Sequence, residues 1–272
     1  MRTLAHLSDL HFGRVDAALL EPLRHKLEAI APDLVVVSGD LTQRARASQF
    51  EAARAWLATL PQPQLVVPGN HDVPLYNVVK RFAAPLAGYR RAMGDDVEPV
   101  YVDDEIAVVG VDTTRSNVFK GGRINEAQVV RIREALSQLP RDVVRIVVTH
   151  HPFDAPGEEA ERRGQVVGRA RMALEGLVEC GADLLLSGHL HEAGVLHTAE
   201  RYAIAGMSAL IVQAGTATSL RTRATPNTFN VLRVSAEHLQ VERHAWNGTT
   251  FEPDDAKAFV RGADGWHAAP SS

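Results

Sequence analysis

Residues 34–40 read LVVVSGD, an apolar run that ends in serine, glycine and aspartate. A short run of β-branched residues bounded by a glycine is typical of a buried strand. Comparable apolar runs occur at residues 65–67, 106–111, 143–149 and 184–187. Amphipathic helical patterns lie between these runs, at residues 17–30, 46–59, 125–138 and 167–180. This alternation predicts an α/β architecture.

The pattern changes in the last third of the chain. Short strand-like pieces at residues 194–198, 208–213, 228–234 and 239–245 predict antiparallel strands, forming a second sheet packed on the first. Residues 74–98, interrupted by prolines and glycines, predict a helical flap. Residues 248–272 lack a clear period, so we expect a loose tail or arm after a domain that spans residues 1–247.

Length and charge restrict the classes of protein to consider. The chain has 272 residues, 33 of them acidic and 29 basic, which gives a formal charge of −4. The length fits one large domain with a sizeable core. The acidic balance removes the broad attraction to phosphate backbones on which most nucleic-acid-binding proteins rely. We therefore do not expect a nucleic-acid partner.

Cysteine content and hydropathy bear on the cellular compartment of the protein. Cys180 is the single cysteine, so no internal disulfide can form, which fits a reducing environment. The N-terminus carries a charge at once and has no apolar run of signal-peptide length. No run of about 18 apolar residues occurs anywhere in the sequence. We expect a cytoplasmic protein without a membrane span.

Polar segments follow five of the predicted strands. They are Asp9-Leu10-His11, Gly39-Asp40, Gly69-Asn70-His71-Asp72, His150-His151 and Gly188-His189-Leu190-His191. Ligands of open α/β sheets gather outside the carboxyl ends of the strands, so these side chains are expected to converge. Alone, the first two segments and a solitary His150 are more often an ordinary loop, turn or strand end, whereas Gly69-Asn70-His71-Asp72 is a rarer pattern. Together, imidazole, carboxylate and amide groups without a thiolate indicate a site for Mn, Fe, Zn or Co.

The ordered set D-x-H, GD, GNHD, H and GHxH resembles the calcineurin-like metallophosphoesterase superfamily, over residues 1–245. The resemblance implies a four-layer αββα sandwich of two mixed sheets with flanking helices. It implies one metal ion held by Asp9, His11, Asp40 and His191. It implies a second ion held by Asp40, Asn70, His150 and His189, so that Asp40 bridges the two.

The same resemblance implies roles for the remaining residues of GNHD. His71 matches the histidine that contacts the substrate phosphate and can protonate the leaving oxygen, and Asp72 matches the carboxylate that orients it. Asn70 and His71 are the expected substrate-binding residues, and His71 and Asp72 the expected catalytic ones. Two cations, Mn, Fe or Zn, would lower the pKa of a bridging water, and the resulting hydroxide would attack phosphorus directly.

Weaker similarities indicate a subfamily. The segments LSDLH at 7–11, SGDLT at 38–42, VDT at 111–113, THHP at 149–152 and GTATS at 215–219 resemble bacterial class III cyclic-nucleotide phosphodiesterases and glycerophosphodiesterase relatives. This implies a phosphodiesterase for small phosphodiesters such as cyclic nucleotides. A nuclease would instead need a basic groove and a capping domain. A lipid-intermediate pyrophosphohydrolase stays open because Lys80, Arg81, Arg90 and Arg91 stand among apolar residues of the flap.

A non-catalytic scaffold on the same fold is disfavoured, because such relatives have lost metal ligands and this chain keeps all of them. Several further residues are weaker candidates for the site. They are His6, His151 and His197, which we expect to pack rather than ligate, and Arg115, Asn117, Arg123, Arg221 and Arg223, which could reach substrate. We expect His151 to point away from His150, because neighbouring side chains on an extended segment face opposite ways.

Some apolar residues have no obvious place in the sandwich. They are Leu75, Tyr76, Val79, Phe82, Phe251, Phe259 and Trp266. Exposed apolar patches often mark interfaces, so a homodimer that buries some of these side chains is expected.

Overall fold

The computed structural model describes residues 1–118, 121–154, 165–191, 193–197, 209–220, 225–263 and 265–270. Numbered along the chain, the strands are β1 (Arg2–Leu7), β2 (Leu34–Ser38), β3 (Gln64–Val67), β4 (Val100–Val102), β5 (Ile106–Val111), β6 (Gly122–Arg123), β7 (Val144–Thr149), β8 (Val167–Gly168), β9 (Leu184–Ser187), β10 (Gly194–His197), β11 (Leu210–Gln213), β12 (Thr228–Val234), β13 (His238–Trp246), β14 (Phe251–Gly262) and β15 (Gly265–Ala268). The helices are α1 (Ala17–Ile30), α2 (Ala47–Leu57), α3 (Val78–Ala83), α4 (Ala87–Met93), α5 (Glu126–Leu136) and α6 (Ala170–Glu179).

Two large mixed sheets form the centre of the molecule. The larger sheet has the order β15-β14-β13-β12-β1-β2-β3, in which β1, β2 and β3 run parallel and the others pair antiparallel. The smaller sheet has the order β10-β11-β9-β7-β5-β4, with β5, β7, β9 and β11 parallel and antiparallel strands at both edges. A short parallel pair, β6 and β8, lies apart from them.

Side-chain alternation distributes the apolar residues over three cores. In β2, Val36 packs between the sheets, with Val108 and Ile146 of the smaller sheet. Val35 and Val37 point the other way, into a cluster with α1 and α2. A third cluster joins the outer face of the smaller sheet to α5 and α6. Both faces of each central strand are therefore covered, which explains the unbroken apolar runs and confirms the predicted αββα sandwich.

Local signals define the helix ends. The Asp16 side chain accepts a hydrogen bond from the Ala18 N–H (3.0 Å) at the start of α1, so one otherwise unpaired amide is satisfied. Asn125 and Gln128 form a reciprocal capping box at the start of α5, as the sequence predicts.

The strands after residue 193 differ from the expectation of a separate second sheet. β10 and β11 extend the smaller sheet, whereas β12 to β15 extend the larger one. Each sheet therefore combines parallel strands from the first part of the chain with strands from the last part. The expectation of a loose tail is also wrong, because residues 251–262 and 265–268 form β14 and β15, which anchor Phe251, Phe259 and Trp266 in the cores.

Trp266 carries the first testable expectation. Its side chain is fully buried, packs in the core between the sheets and donates from Nε1 to the Asp183 carboxylate (3.3 Å). We expect Trp266→Ala to lower the free energy of unfolding by about 3–5 kcal/mol, because a large buried aromatic is removed. The matched control is Tyr76→Ala, because the Tyr76 side chain is 77% exposed. This substitution should change the free energy of unfolding by less than about 0.5 kcal/mol. Urea denaturation gives the free energy of unfolding of each variant. Similar losses for the two variants would contradict the packing of Trp266 in the core.

The predicted flap is helical, with α3 and α4 inside residues 74–98. Tyr89 packs against the α2 side of the larger sheet and donates its hydroxyl proton to the Val66 carbonyl (2.8 Å). The outer face exposes Tyr76, Val78, Val79 and Phe82. Among the residues that the structure describes, no helix has the length and apolar character needed to cross a membrane.

Candidate metal centre

The five polar segments follow strands of both sheets, as the sequence predicts. Asp9, Asp40 and Asn70 come after β1, β2 and β3 of the larger sheet. His150 and His189 come after β7 and β9 of the smaller sheet. The site therefore lies at the edge where the carboxyl ends of the parallel strands of both sheets meet.

Five of the seven predicted ligands have a left-handed backbone. The residues and their φ angles are Asp9 (53°), His11 (52°), Asp40 (52°), His189 (72°) and His191 (61°). Elsewhere in the described ranges, only Ala31, Ala45 and Arg169 share this feature among non-glycine residues. A non-glycine residue held in this region costs about 1–3 kcal/mol and persists where its surroundings over-determine it. The backbone strain is thus concentrated at the predicted ligands.

One cluster gathers around Asp9. Its Oδ1 lies 3.3 Å from His191 Nε2 and 3.5 Å from His11 Nε2, and the two Nε2 atoms lie 3.5 Å apart. Oδ2 is engaged elsewhere, because the Ser8 hydroxyl (2.6 Å) and the His189 N–H (3.0 Å) both donate to it. Oδ1 is buried without a hydrogen-bond donor. A buried carboxylate oxygen that faces two imidazole nitrogens fits a bound cation.

A second cluster gathers around His150. Its Nδ1–H donates to the Ser38 carbonyl (2.8 Å), which leaves the Nε2 lone pair available as a ligand. That Nε2 lies 3.1 Å from Asn70 Oδ1 and 3.3 Å from His189 Nδ1. Burial and the neighbouring His150 lower the pKa of His189 to about 3. The His189 imidazole is therefore neutral at pH 7, which is the form that binds metals.

Asp40 lies between the two clusters. Its Oδ1 is 3.4 Å from His150 Nε2, and its Oδ2 is 3.8 Å from His11 Nε2. The His71 N–H donates to Oδ1 (2.8 Å) and fixes the carboxylate. Burial opposes ionisation of Asp40 and Asp9, but the surrounding imidazoles outweigh it and keep both pKa values below the usual range. Asp40 is thus an ionised carboxylate that presents one oxygen to each cluster.

Two glycines of the motifs pack directly against the ligands. A Cβ on Gly69 would lie 2.2 Å from both the backbone nitrogen and Oδ1 of Asp40. A Cβ on Gly188 would lie 1.7 Å from Ser8 Oγ and 2.8 Å from Asp9 Oδ2. Glycine is needed at both positions because the backbone approaches the ligand carboxylates closely.

The expected contact between Asp72 and the His71 ring is replaced by other contacts. The Asp72 carboxylate accepts backbone hydrogen bonds from Leu41 (3.1 Å), Thr42 (2.9 Å) and Gly69 (3.0 Å). Burial and the charge of Asp40 raise its pKa to about 6, although these donors oppose the rise. Asp72 therefore joins the loop after β2 to the loop after β3, and does not orient His71 directly.

The His71 ring contacts Gln43 and the ring of His11. His71 Nδ1 lies 2.9 Å from the Gln43 carbonyl oxygen, so its N–H donates there. The sequence gives no signal for Gln43, because the contact is made by a main-chain oxygen. One ring nitrogen of His71 also lies within 4.8 Å of a ring nitrogen of His11 and of a carboxylate oxygen of Asp40.

His151 also differs from the expectation. β7 ends at Thr149, so the alternation of side chains no longer applies at His150 and His151. The His151 ring lies beside that of His189, with centroids 4.6 Å apart, and ligand-capable atoms of the three histidines lie within 4.8 Å of one another. The Thr113 hydroxyl holds its Nδ1 (2.8 Å). The expectation that His151 points away is wrong.

The other residues weighed from the sequence lie apart from the clusters. His6 Nε2 pairs with the Ser38 hydroxyl (2.9 Å), and burial lowers the pKa of His6 to about 3. The Arg115 guanidinium donates to the carbonyls of Asp112 and Thr114 and to Gln128 Oε1. Asn117 and Arg123 are exposed. Arg221, Arg223 and the side chain of His197 lie outside the described residues.

Comparison with known proteins places this site in a family. The calcineurin-like phosphoesterase family model matches residues 2–193, which is more than half of the chain. The chain therefore belongs to the calcineurin-like phosphoesterase family, and the predicted superfamily is confirmed. Four groups of Asp and His side chains among the described residues have ligand atoms close enough together to hold a metal ion.

Two curated relatives are named as phosphodiesterases. The chain is 26% identical over 161 residues to a probable glycerophosphodiester phosphodiesterase, GpdQ, of Arcobacter nitrofigilis, a match that covers 59% of this chain and only 57% of that relative. It is 24% identical over 268 residues, 93% of each chain, to the 3′,5′-cyclic adenosine monophosphate phosphodiesterase CpdA of Escherichia coli. The chain therefore spans little more than half the length of the first relative and nearly all of the second.

A solved structure supports the fold alone. The purple acid phosphatase of yellow lupin seeds superimposes with a TM-score of 0.70 and 14% identity, over 96% of this chain and 54% of that one.

Proposed function

We propose that the protein is a dinuclear metal-dependent phosphodiesterase that hydrolyses small phosphodiesters such as cyclic nucleotides. The observation that carries the proposal is the position of Asp40, whose two oxygens face two separate clusters of buried ligand atoms. The names of the two curated relatives support a diester substrate. The native metals are expected among Mn, Fe and Zn, since the donors are imidazole, carboxylate and amide groups.

The ligand sets are those that the family resemblance implies. Asp9, His11, Asp40 and His191 would hold one ion, and Asp40, Asn70, His150 and His189 the other. When bound, such a pair of ions polarises phosphoryl oxygens and lowers the pKa of a coordinated water. The protein supplies the rest: the hydrogen bonds of Ser8, Ser38 and His71 fix the ligand groups before substrate arrives.

His71 is the proposed proton donor. Hydrolysis breaks the bond between phosphorus and one ester oxygen, and the departing alkoxide takes up a proton. The Gln43 carbonyl holds the Nδ1–H of His71, so the Nε2 atom is the one presented to the leaving oxygen. A protonated His71 would also neutralise part of the charge that develops on that oxygen.

His71→Ala should keep the metals and lower turnover. We expect kcat to fall by about 10²–10⁴-fold for an alkyl phosphodiester, whose alkoxide needs a proton, and by much less for bis(p-nitrophenyl) phosphate. The matched control is His25→Ala, since His25 is a surface histidine whose side chain is 64% exposed. Metal analysis alongside the kinetics separates loss of ions from loss of proton donation. Equal losses for both leaving groups would leave phosphate binding as the role of His71.

A substrate panel tests the proposed function. We expect kcat/KM for bis(p-nitrophenyl) phosphate, 3′,5′-cyclic AMP and glycerophosphodiesters to exceed that for p-nitrophenyl phosphate and single-stranded DNA. A diester brings one negative charge to a site rich in carboxylates, and the formal charge of −4 gives long polyanions no counterion-release gain. A higher kcat/KM for p-nitrophenyl phosphate than for both the aryl diester and cyclic AMP would overturn the diester assignment.

Cytoplasmic location and homodimer formation stay predictions. Phe251, Phe259 and Trp266 are buried within the chain and no longer support an interface. The proposed dimer now rests on the exposed flap residues Tyr76, Val79 and Phe82.

A further inference from the structure

A cleft opens directly beside the candidate metal centre. It has a volume of about 300 Å³ and begins at His191, one of the proposed ligands. Its other walls include Thr225, Pro226, Thr228, Arg243 and Asp254, which come from β12, β13 and β14 and the loop before β12. Liquid water occupies about 30 Å³ per molecule, so the cleft has room for a group of roughly ten non-hydrogen atoms.

The position of Asp254 is set by an irregularity in the sheet. Arg243 pairs with Asp255 across β13 and β14, whereas the next residue, His244, pairs with Pro253. Asp254 is therefore the extra residue of a β-bulge. Bulges change the direction of a side chain and are common next to active sites. Here the bulge directs the Asp254 carboxylate at Arg243 and into the cleft.

The two side chains form a bidentate pair. Arg243 donates from Nε to Asp254 Oδ1 (2.8 Å) and from Nη2 to Oδ2 (2.9 Å). These bonds use two of the five N–H donors of the guanidinium and leave acceptor lone pairs on both carboxylate oxygens. The pair is without net charge, and Thr225 and Thr228 are polar residues that also line the cleft.

A ligand of this cleft must match a polar but neutral wall. A second anionic group would meet the Asp254 carboxylate, and an aryl or acyl group would displace water from this partly exposed pair without replacing its hydrogen bonds. A hydroxylated alcohol group, which both donates and accepts hydrogen bonds without charge, satisfies them.

We propose that the cleft is the subsite for the alcohol portion of the phosphodiester, and that Arg243 and Asp254 select a polyol such as glycerol or ribose. This inference rests on the proposed function, because the scissile phosphate must lie at the candidate metal centre beside His191. Arg243 and Asp254 are specificity residues that contact the substrate away from phosphorus and take no part in proton transfer.

A matched pair of substrates tests the proposal. Propyl p-nitrophenyl phosphate and 2,3-dihydroxypropyl p-nitrophenyl phosphate share charge, leaving group and carbon skeleton, and differ only in two hydroxyls. We expect the metal-loaded protein to show a kcat/KM about tenfold higher for the dihydroxypropyl ester, the ratio typical of gaining a hydrogen bond to a charged group. Asp254→Ala and Arg243→Gln should each reduce that ratio to near one, because each removes hydrogen-bonding groups that the two hydroxyls would meet.

Glu252→Ala is the matched control. Glu252 is another acidic residue of β14, but its carboxylate pairs with Lys26 (3.2 Å) and does not line the cleft. This variant should keep the tenfold ratio. Thermal melting of all the variants shows whether each remains folded, and the ratio is compared only within one folded protein, so general destabilisation cannot mimic the effect.

A binding measurement is independent of turnover. Saturation-transfer NMR on the metal-free protein should detect the carbon-bound protons of glycerol 3-phosphate more strongly than those of propyl phosphate, and Asp254→Ala should abolish the difference. Kinetics with glycerophosphoethanolamine and 3′,5′-cyclic AMP distinguish glycerol from ribose as the polyol. The substrate whose kcat/KM is lower in Asp254→Ala than in the unaltered protein is the one that occupies the cleft.

Three outcomes would overturn the subsite. Turnover of both esters with a ratio near one in the unaltered protein would refute it and leave the phosphodiesterase assignment intact. A tenfold kcat/KM ratio that is retained in both Asp254→Ala and Arg243→Gln would also refute the subsite and leave the phosphodiesterase assignment intact. Absence of turnover for every diester, with two ions bound, would overturn the proposed function together with the subsite.

Discussion

Asp40→Ala should reduce kcat/KM for bis(p-nitrophenyl) phosphate by on the order of 10³-fold or more. Asp40 presents one oxygen to each ligand cluster, so its removal takes a ligand from both proposed ions at once. Metal-ion stabilisation of phosphoryl transfer contributes several kcal/mol, and each 1.36 kcal/mol corresponds to a tenfold change in rate. Steady-state kinetics with metal analysis of the same preparation gives both the rate and the ions lost.

Two comparisons make this result specific. His191→Ala removes a ligand from one proposed ion only and should retain more activity than Asp40→Ala. Asp142→Ala changes an exposed aspartate and should leave kcat/KM within about twofold. If Asp40→Ala kept more activity than His191→Ala, the bridging role of Asp40 would be wrong.

Gly69→Ala should produce the second large effect, although it changes no ligand. The added Cβ would lie 2.2 Å from the backbone nitrogen of Asp40, which cannot move without shifting the loop after β2. Overpacking of this kind costs about 1–3 kcal/mol of stability. Displacement of the Asp40 carboxylate by about 1 Å should lower kcat by about 10²-fold, since catalytic geometry tolerates little error.

Gly194→Ala is the matched control, because a Cβ at Gly194 meets nothing within 4 Å and its backbone needs no positive φ. We expect this variant to keep its activity and to melt close to the unaltered protein. A Gly69→Ala protein that melts and turns over like Gly194→Ala would show that the loop after β2 adjusts freely, contrary to the packing described.

Much of the fold could be predicted because the central strands are buried on both faces. Runs such as residues 34–37 and 106–111 therefore lack polar positions and differ clearly from the amphipathic helices between them. β14 could not be predicted in the same way. Between Phe251 and Phe259 its side chains are exposed, and Pro253, Asp254 and Asp255 are typical of a loop. Backbone pairing with β13 and its two buried ends make it a strand.

The candidate site was predictable as a set of residues and less so as a set of contacts. Asp and His placed after successive strands predict convergence, and the structure brings these side chains together. The contacts that orient them come from distant main-chain groups. The Ser38 carbonyl holds His150, and the Gln43 carbonyl holds His71. Such contacts depend on how the two sheets pack, and no residue type in the sequence records them.

The most direct test of the dinuclear centre is the metal content of the active protein. The enzyme is loaded with Mn, Fe or Zn until kcat for bis(p-nitrophenyl) phosphate no longer rises, freed of excess ions, and measured by elemental analysis. Two tightly bound ions per chain are expected, because Asp40 faces two separate clusters. A single ion per chain in a fully active preparation would contradict the dinuclear centre.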